Sequence, residues 1–425
     1  MENNHIHKYG IGVITMKKTS LRFIAFVILC AFALSITSCA NSVASNLVSG
    51  SPQDIEGKAS DEVFSSLVSD FSIMIFKETF EDKNYISSPF SLMIGLGMLT
   101  NGATGETKNE LESFIGMDED LLAKYVSGYI DSLKSLEKNK VNIADSVWIR
   151  HGKNVKEDYI MHNVNFYRAE LFTADFTKKR ALEDVNKWIS EKTDGMIEEM
   201  LKELEPETAM LLINTILFDA EWINKDEREE IPERIFYSED GSISKLEMMY
   251  FEENDYIECE NAVGFVKYYL GGRYAFIGLL PDEEILLKDY ISSLSGDYLK
   301  KAFESRSSRH VLLQMPKFEY ETDIDFRDYM ENKKGILKPF YFGADFEEIT
   351  PDNDVYVSAI NHSAKITNNT NGTKAAAATV IIVEDECVDI MPDDAVEITL
   401  DRPFVYFIYD TEACIPLFVG AFNNK

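Results

Sequence analysis

Between Met210 and Phe218 every residue is apolar except Asn214 and Thr215. A run of that length without alternation reads as a strand buried on both faces, because a half-exposed strand would place polar residues at every second position. Such a strand needs a covering layer on each side and neighbours to pair its backbone. The chain must therefore build a large layered core around it, and Asn214 must find hydrogen-bond partners inside that core. The supply is ample: 45% of the 425 residues are hydrophobic and 12% are aromatic, which separates this chain from a disordered one.

The remaining pattern is mixed. Val63, Leu67, Phe71, Met74 and Ile75 recur at helical spacing and mark a first helix from Asp61 onward. Leu182, Val185, Trp188 and Ile189 form the apolar face of another. Gly195 breaks it, and Ile197, Met200, Leu201 and Leu204 are expected to begin a further helix. Strands dominate the rest. Phe265–Leu270 and Tyr274–Leu280, with Arg273 opening the second strand, flank Gly271-Gly272 as a hairpin with a primed turn, and Phe404–Tyr409 pairs with Leu417–Phe422. Helices followed by many mostly antiparallel strands give an α+β fold. No repeat and no later linker interrupts residues 61–425, so they read as one domain.

The N-terminus carries export grammar. Lys17, Lys18 and Arg22 precede an apolar run from Phe23 to Leu34, which is a charged start before a short apolar stretch. A spanning helix would need roughly 20 apolar residues. Leu34-Ser35-Ile36-Thr37-Ser38-Cys39 then leads small residues into a cysteine. This resembles a bacterial lipobox, with an ordinary secretory cleavage site as the alternative. Residues 1–38 are thus expected to be a lipoprotein-type export signal, with a lipid on Cys39. The Ser-, Asn- and Gly-rich residues 39–60 are expected to be a flexible tether. The product would be lipid-anchored on the outer side of a bacterial membrane, or extracellular.

Several function classes are excluded. The net charge of −31, from 42 basic and 73 acidic residues, repels phosphate backbones, so no nucleic-acid partner is expected. The cysteines are widely spaced with no CxxC, so neither a disulfide framework nor a zinc site is expected, and Cys414 reads as a small core residue. Gly97-Met98-Leu99-Thr100-Asn101-Gly102 starts like a phosphate loop, but Ala103-Thr104 stand where a lysine and a hydroxyl residue are required. There is no G-x-S-x-G and no H-E-x-x-H. His151, His162, His310 and His362 sit in no recognisable catalytic setting. No enzyme activity, cofactor or metal is expected.

Tyr85-Ile86-Ser87-Ser88-Pro89-Phe90-Ser91 and Asn101-Gly102-Ala103-Thr104-Gly105-Glu106-Thr107 resemble a serpin segment, the one that enters the second helix of that fold. The likeness recurs in order at Asn186-Lys187-Trp188-Ile189, Thr193-Asp194-Gly195-Met196-Ile197 and Leu212-Ile213-Asn214-Thr215-Ile216-Leu217-Phe218 with Trp222. It continues at Met315-Pro316-Lys317-Phe318 and Asp401-Arg402-Pro403-Phe404, so it spans residues 61–423. The resemblance implies the serpin fold, with helices packed on a large mixed β-sheet, smaller further sheets and an exposed reactive-centre loop at about 370–400. It places Asn214 near His362, with Ser88 and Ser91 close by, where the central strands part. A core network serving stability alone is the other reading of those four residues.

Asn371-Gly372-Thr373-Lys374-Ala375-Ala376-Ala377-Ala378-Thr379 resembles the hinge of inhibitory serpins. Four alanines favour a helix, whereas Gly372 and the β-branched Thr379, Val380, Ile381, Ile382 and Val383 favour a strand. Such a segment can be exposed in one state and a strand in another. Its small side chains would let it slide between existing strands. The implied activity is suicide inhibition of a serine-type or cysteine-type endopeptidase, by cleavage of the loop, a covalent acyl complex and insertion of the freed loop. The residues from Thr373 to Glu386 would span about 46 Å as a strand. Counting from Thr373 puts the scissile bond between Glu386 and Cys387, and with Glu384 and Asp385 alongside the bait suits a protease preferring acidic residues. Asp385, Asp389 and Met391 are alternative cleavage residues. Thr370 stands where the family usually has a glutamate to pair with Lys317, near Trp222. A monomer is expected, and a non-inhibitory binding or carrier serpin is the second function class. Replacing Cys39 with Ala should block maturation or release the protein from membranes. Fractionation of the expressing cell tests this, and unchanged retention would refute it.

Overall fold

The computed structural model describes residues 42–49, 51–53, 55–133, 139–228, 230–352, 354–373 and 395–424. Helices α1 (Glu62–Thr79), α2 (Pro89–Gly102), α3 (Gly105–Ile115), α4 (Glu119–Leu133), α5 (Glu157–Tyr167) and α6 (Lys179–Lys192) occupy the first half. Helices α7 (Leu287–Ser293), α8 (Gly296–Glu304) and α9 (Phe326–Lys334) come later. Strands β1 (Ala44–Asn46), β2 (Tyr85–Ser87), β3 (Lys140–Arg150), β4 (Glu170–Ala174) and β5 (Met210–Glu221) lie among the first helices. β6 (Glu233–Tyr237), β7 (Ile243–Cys259), β8 (Ala262–Tyr268), β9 (Tyr274–Pro281), β10 (Ser307–Pro316) and β11 (Phe318–Asp325) follow. β12 (Val357–Asn369), β13 (Gly372–Thr373), β14 (Val396–Thr399), β15 (Phe404–Asp410) and β16 (Ile415–Phe422) complete the order.

The strands form two sheets. One has the order β1-β4-β3-β5-β13-β12-β11, and the other β14-β10-β7-β8-β9-β15-β16-β2 with β6 paired to β7. The apolar run of the sequence is β5, at the centre of the first sheet and buried on both faces. Beneath it lies α2, apolar all round as a core helix must be. Ser88 caps α2 and Pro89 opens it, where a missing N–H costs nothing. The approach is close: a side chain on Gly95 would meet Leu212 Cδ2 at 3.0 Å. On the opposite face, Asn142, next to Leu217 in the sheet, donates to Lys192 O of α6 at 2.8 Å. β5 is therefore sandwiched between α2 and α6. The α+β expectation and the serpin-like layering both hold.

Four local expectations need correction. No helix starts at Ile197. Asp194 and Gly195 turn through positive φ of 49° and 74°, and Asn186 of α6 takes over the backbone groups that a new helix would pair internally. Its Oδ1 accepts from Met200 N and Leu201 N at 3.2 and 3.0 Å, and its Nδ2 donates to Leu201 O at 2.7 Å. Ile197 and Leu201 are buried by this docking without helical spacing. In the β8–β9 hairpin both Gly271 and Gly272 have positive φ, but Gly272 N donates to Tyr269 O at 2.9 Å across Leu270-Gly271, so no two-residue primed turn forms. The strands close at Tyr269 N to Tyr274 O, 3.0 Å, so Leu270 and Arg273 belong to a four-residue connection. Cys414 lies half-buried in the β15–β16 turn with φ of 54° rather than in the core.

The fourth correction concerns residues 39–60. Rather than forming a tether throughout, the described residues among them dock. β1 pairs antiparallel with β4, Ala44 opposite Ala174 and Asn46 opposite Phe172. Leu47 N then donates to Leu171 O, Gln53 N to Asn165 Oδ1 and Lys58 N to Lys124 O, each at 2.8 Å. Polar composition hides this because an open sheet edge pairs with backbone whatever the side chains are. The expected signal at 1–38 and the lipidated Cys39 lie outside the described residues. Gly57 fits against α4 so tightly that a Cβ would meet Gly128 N at 2.2 Å. Gly57→Ala is expected to destabilise the fold by about 1–3 kcal/mol and to expose residues 44–58 to limited proteolysis. Unchanged melting and an unchanged digest would show that this stretch does not dock.

Candidate functional site

The central sheet is closed at one end and open at the other. β5 and β12 pair in parallel from Val357 opposite Met210 to Ser363 opposite Thr215. Farther along, residues 216–219 and 364–367 face one another with nothing paired between them among the described residues. At the far end β13 enters the gap. Gly372 and Thr373 pair antiparallel with Glu221 and Ala220 of β5, and with Asn369 and Asn368 of β12. The reversal at Thr370-Asn371 is held by Asn369 Oδ1, which accepts from Asn371 N at 2.9 Å and Gly372 N at 3.3 Å. Only glycine fits at 372, where a Cβ would lie 2.1 Å from Ala220 O.

The closed end is fastened by buried polar groups. His362 Nε2 accepts from Ser88 N at 3.0 Å, which assigns the ring proton to Nδ1, and Nδ1 donates to Asn214 Oδ1 at 2.8 Å. Asn214 Nδ2 contacts Ser91 O and Oγ, both at 2.6 Å, and donates to Asp145 Oδ1. Ser88 Oγ in turn accepts from Ser91 N at the start of α2. Ser88, Ser91, Asn214 and His362 thus come together as the resemblance implied, and Asn214 finds the partners its burial demands. Burial holds the His362 imidazole down to about 4, so it is neutral at ordinary pH. Asp145, on β3 opposite Asn214, is a member that sequence reasoning missed. The signal was a lone carboxylate in an otherwise uncharged stretch, but only strand register reveals its partner. Burial pushes its carboxyl up to about 8, against the smaller pull of the Asn214 bond.

The open end is aromatic. Trp222 is fully buried and stacks on Tyr269 with ring centroids 4.2 Å apart. Its Nε1 donates to Asn369 O at 2.9 Å and its backbone N to Asn371 O at 2.8 Å. The Tyr269 hydroxyl lies 2.6 Å from Thr373 Oγ1, and Thr373 is 2% exposed. Lys267 supports this platform from below, fully buried, with Nζ 2.6 Å from Glu253 and 5.0 Å from the Trp222 ring centre. Thr370 offers its backbone O to Asp226 N at 3.3 Å. Lys317, without the usual glutamate, pairs instead with Glu247 of β7 at 3.0 Å. Lys374, Ala375, Ala376, Ala377, Ala378 and Thr379 of the hinge lie outside the described residues, as do Glu386 and Cys387 of the bait and the alternatives Asp385, Asp389 and Met391.

Comparison with known proteins decides what this arrangement is. The family model for serpins, described as serine protease inhibitors, matches residues 66–425. The chain belongs to the serpin family. A serpin-like protein of Thermococcus kodakarensis is 26% identical over 382 residues, covering 87% of this chain and 88% of its own length. Iripin-3 of Ixodes ricinus is 28% identical, covering 80% and 89%. Among solved structures, the native state of the thermophilic serpin tengpin is 34% identical with a TM-score of 0.84, covering 90% of this chain and all of that one. Its latent state superposes less well, with a TM-score of 0.73 over 88% of this chain and 99% of that one, at 32% identity. Serpins are in general protease inhibitors.

The network gives this serpin a pH dependence. Asp145 is protonated more readily when folded than when unfolded, so its contribution to stability is complete below the unfolded value near ~4 and is lost as pH rises through about 8. Asp145→Asn keeps the shape and removes the titration. It should raise the thermal midpoint over the unmodified protein at pH 8.5, with the difference shrinking towards pH 5. Differential scanning at one scan rate would read this, and a difference independent of pH would exclude an ionising role for Asp145.

Proposed function

We propose that this serpin inhibits a serine-type or cysteine-type endopeptidase through insertion of its cleaved loop into the central sheet. The observation that carries the reading is β13, two hinge residues already seated between β5 and β12 in the uncleaved chain. Their register can be continued. Thr373 sits opposite Ala220 and Asn368, so Ala375 would fall opposite Phe218 and Ile366, and Ala377 opposite Ile216 and Ala364. Thr379 would fall opposite both Asn214 and His362, the pair that closes the sheet. Side chains alternate along a strand, so Ala375, Ala377 and Thr379 would enter the buried face with Thr373. Lys374, Ala376 and Ala378 would face α6, where the two alanines pass with least displacement.

Insertion up to Ala378 needs only the existing gap and the release of Ser363 from Thr215. Beyond that point the Asn214–His362 bond must break. In exchange, one parallel contact is replaced by two antiparallel ones, and antiparallel pairing is the slightly more stable kind. The protease nucleophile would attack the carbonyl of Glu386 and expel the amine of Cys387. The acyl-enzyme would then be carried along as the loop inserts. The acidic bait favours a protease with a basic specificity pocket. The inhibitor would act outside the cytoplasmic membrane, held there by a lipid on Cys39.

Thr373→Arg tests this reading. It asks the sheet to bury an unpaired charge at the first inserted position, which costs several kcal/mol (roughly 3–5) where no partner is present. The variant should still be cleaved between Glu386 and Cys387 by a glutamate-specific serine endopeptidase, yet form little SDS-resistant complex. Gel analysis gives the partition, and mass spectrometry of the released C-terminal fragment gives the bond. Equal trapping by the variant would refute insertion as the working step. Clean cleavage of the unmodified protein, with no complex, would indicate a non-inhibitory carrier.

A further inference from the structure

We infer that Tyr269 is a positioning residue for loop insertion, a receptor that holds the first hinge side chain in register before any protease arrives. The inference rests on the inhibitory reading above and names the group that prepares its first step. Thr373 is the last described residue before the bait, and its hydroxyl has one side-chain partner among the described residues, the Tyr269 hydroxyl at 2.6 Å. Neither group reaches solvent: Thr373 is buried, and Tyr269 is fully so. A buried hydroxyl without a partner loses its hydrogen bond to water and gains none in return, so each is selective for the other's presence.

The phenol is fixed from every side, which is what a register-setting group requires. Its ring stacks on Trp222 and meets Phe218 edge-on at 4.9 Å. Its backbone bridges Trp222 in the sheet pairing and closes the β8–β9 turn. Trp222 is itself tied to the hinge, donating to Asn369 O and Asn371 O. Beneath Trp222, Lys267 is held by Glu253 and by Asn224 O at 2.7 Å. The platform cannot follow the hinge if the hinge leaves. A strand entering between β5 and β12 could slip by two residues and still bury every second side chain, because Ala375 and Ala377 lie at the same spacing as Thr373. Only Thr373 offers a hydroxyl at the level of Tyr269, so this bond distinguishes the correct register from a slipped one.

Tyr269→Phe leaves the Thr373 hydroxyl unpartnered, and Thr373→Val leaves that of Tyr269 unpartnered, whereas the double variant leaves none. A protease-free measurement comes first: amide hydrogen exchange over residues 220–222 and 369–373 in the full chain. Each single variant should exchange about three- to tenfold faster there, and the double variant should lie closer to the unmodified protein than either single one. With the glutamate-specific endopeptidase, each single variant should consume more inhibitor per trapped protease while its cleavage rate stays unchanged. Additive effects of the two substitutions, or unchanged exchange in Tyr269→Phe, would overturn the inference. Should the unmodified protein trap no protease at all, the inhibitory reading fails. The exchange arm would then still decide whether Tyr269 positions the hinge.

Discussion

The hydrogen bond between His362 Nδ1 and Asn214 Oδ1 is the fastening from which the rest of the arrangement takes its meaning. It spans the two central strands at the point where their pairing ends. In isolation such a bond contributes only about 0.5–1.5 kcal/mol. Its importance comes from burial, because separating the strands would strip both groups of partners in a place water does not reach. The surrounding contacts raise that barrier. Ser88 fixes the tautomer of His362, Ser91 and Asp145 hold the amide of Asn214, and all of them sit at the mouth of α2. Closing the sheet and capping the core helix are thus the same set of bonds.

The opposite end is held differently. There the strands are kept apart by two residues of hinge and by a stack of aromatic rings fixed under them. Stacking of large rings is insensitive to small lateral movement, while the hydroxyl at the ring edge is sensitive to it. The combination suits the proposed entry of a chain in a single register. Buried charge is spent on the same support: Lys267 is held under Trp222 although burial lowers its amine to about 8 and raises the carboxyl of Glu253. Buried ion pairs of this kind add little net stability, and removing one partner is costly. Their effect here is to immobilise the platform.

The two ends are coupled by geometry. The gap between them holds four positions on each strand, and the register of Thr373 matches them with Lys374 and the three alanines Ala375, Ala376 and Ala377. A strand continuing from Thr373 meets the closing pair only at Thr379, after most of the small residues have entered. In the proposed insertion, resistance would therefore come late, when much of the new pairing had already formed.

Much of this is legible in the order of residues alone. The long apolar run around Asn214 demands a doubly covered strand and buried partners, and both are present. The small-residue hinge, and the grouping of Ser88, Ser91, Asn214 and His362 that the resemblance implied, need only residue identity and order. Relations set by distance in space are not legible in that way. Asp145 joins the network through strand register, since it lies 69 residues from Asn214 in sequence. Tyr269 reaches Thr373 across 104 residues because two sheets meet at Trp222. Residues 44–47 dock because the edge of β4 is open, which no local composition announces. The loss of the helix expected at Ile197 follows from one side chain, Asn186, satisfying a backbone that periodicity alone would have coiled. Which residues are buried, and which segment is small enough for the proposed strand, can be read from residue order alone, because hydrophobicity and size belong to each residue. The tertiary structure decided which polar groups face each other and where the sheet stands open, because those depend on register between segments that only the folded chain brings together.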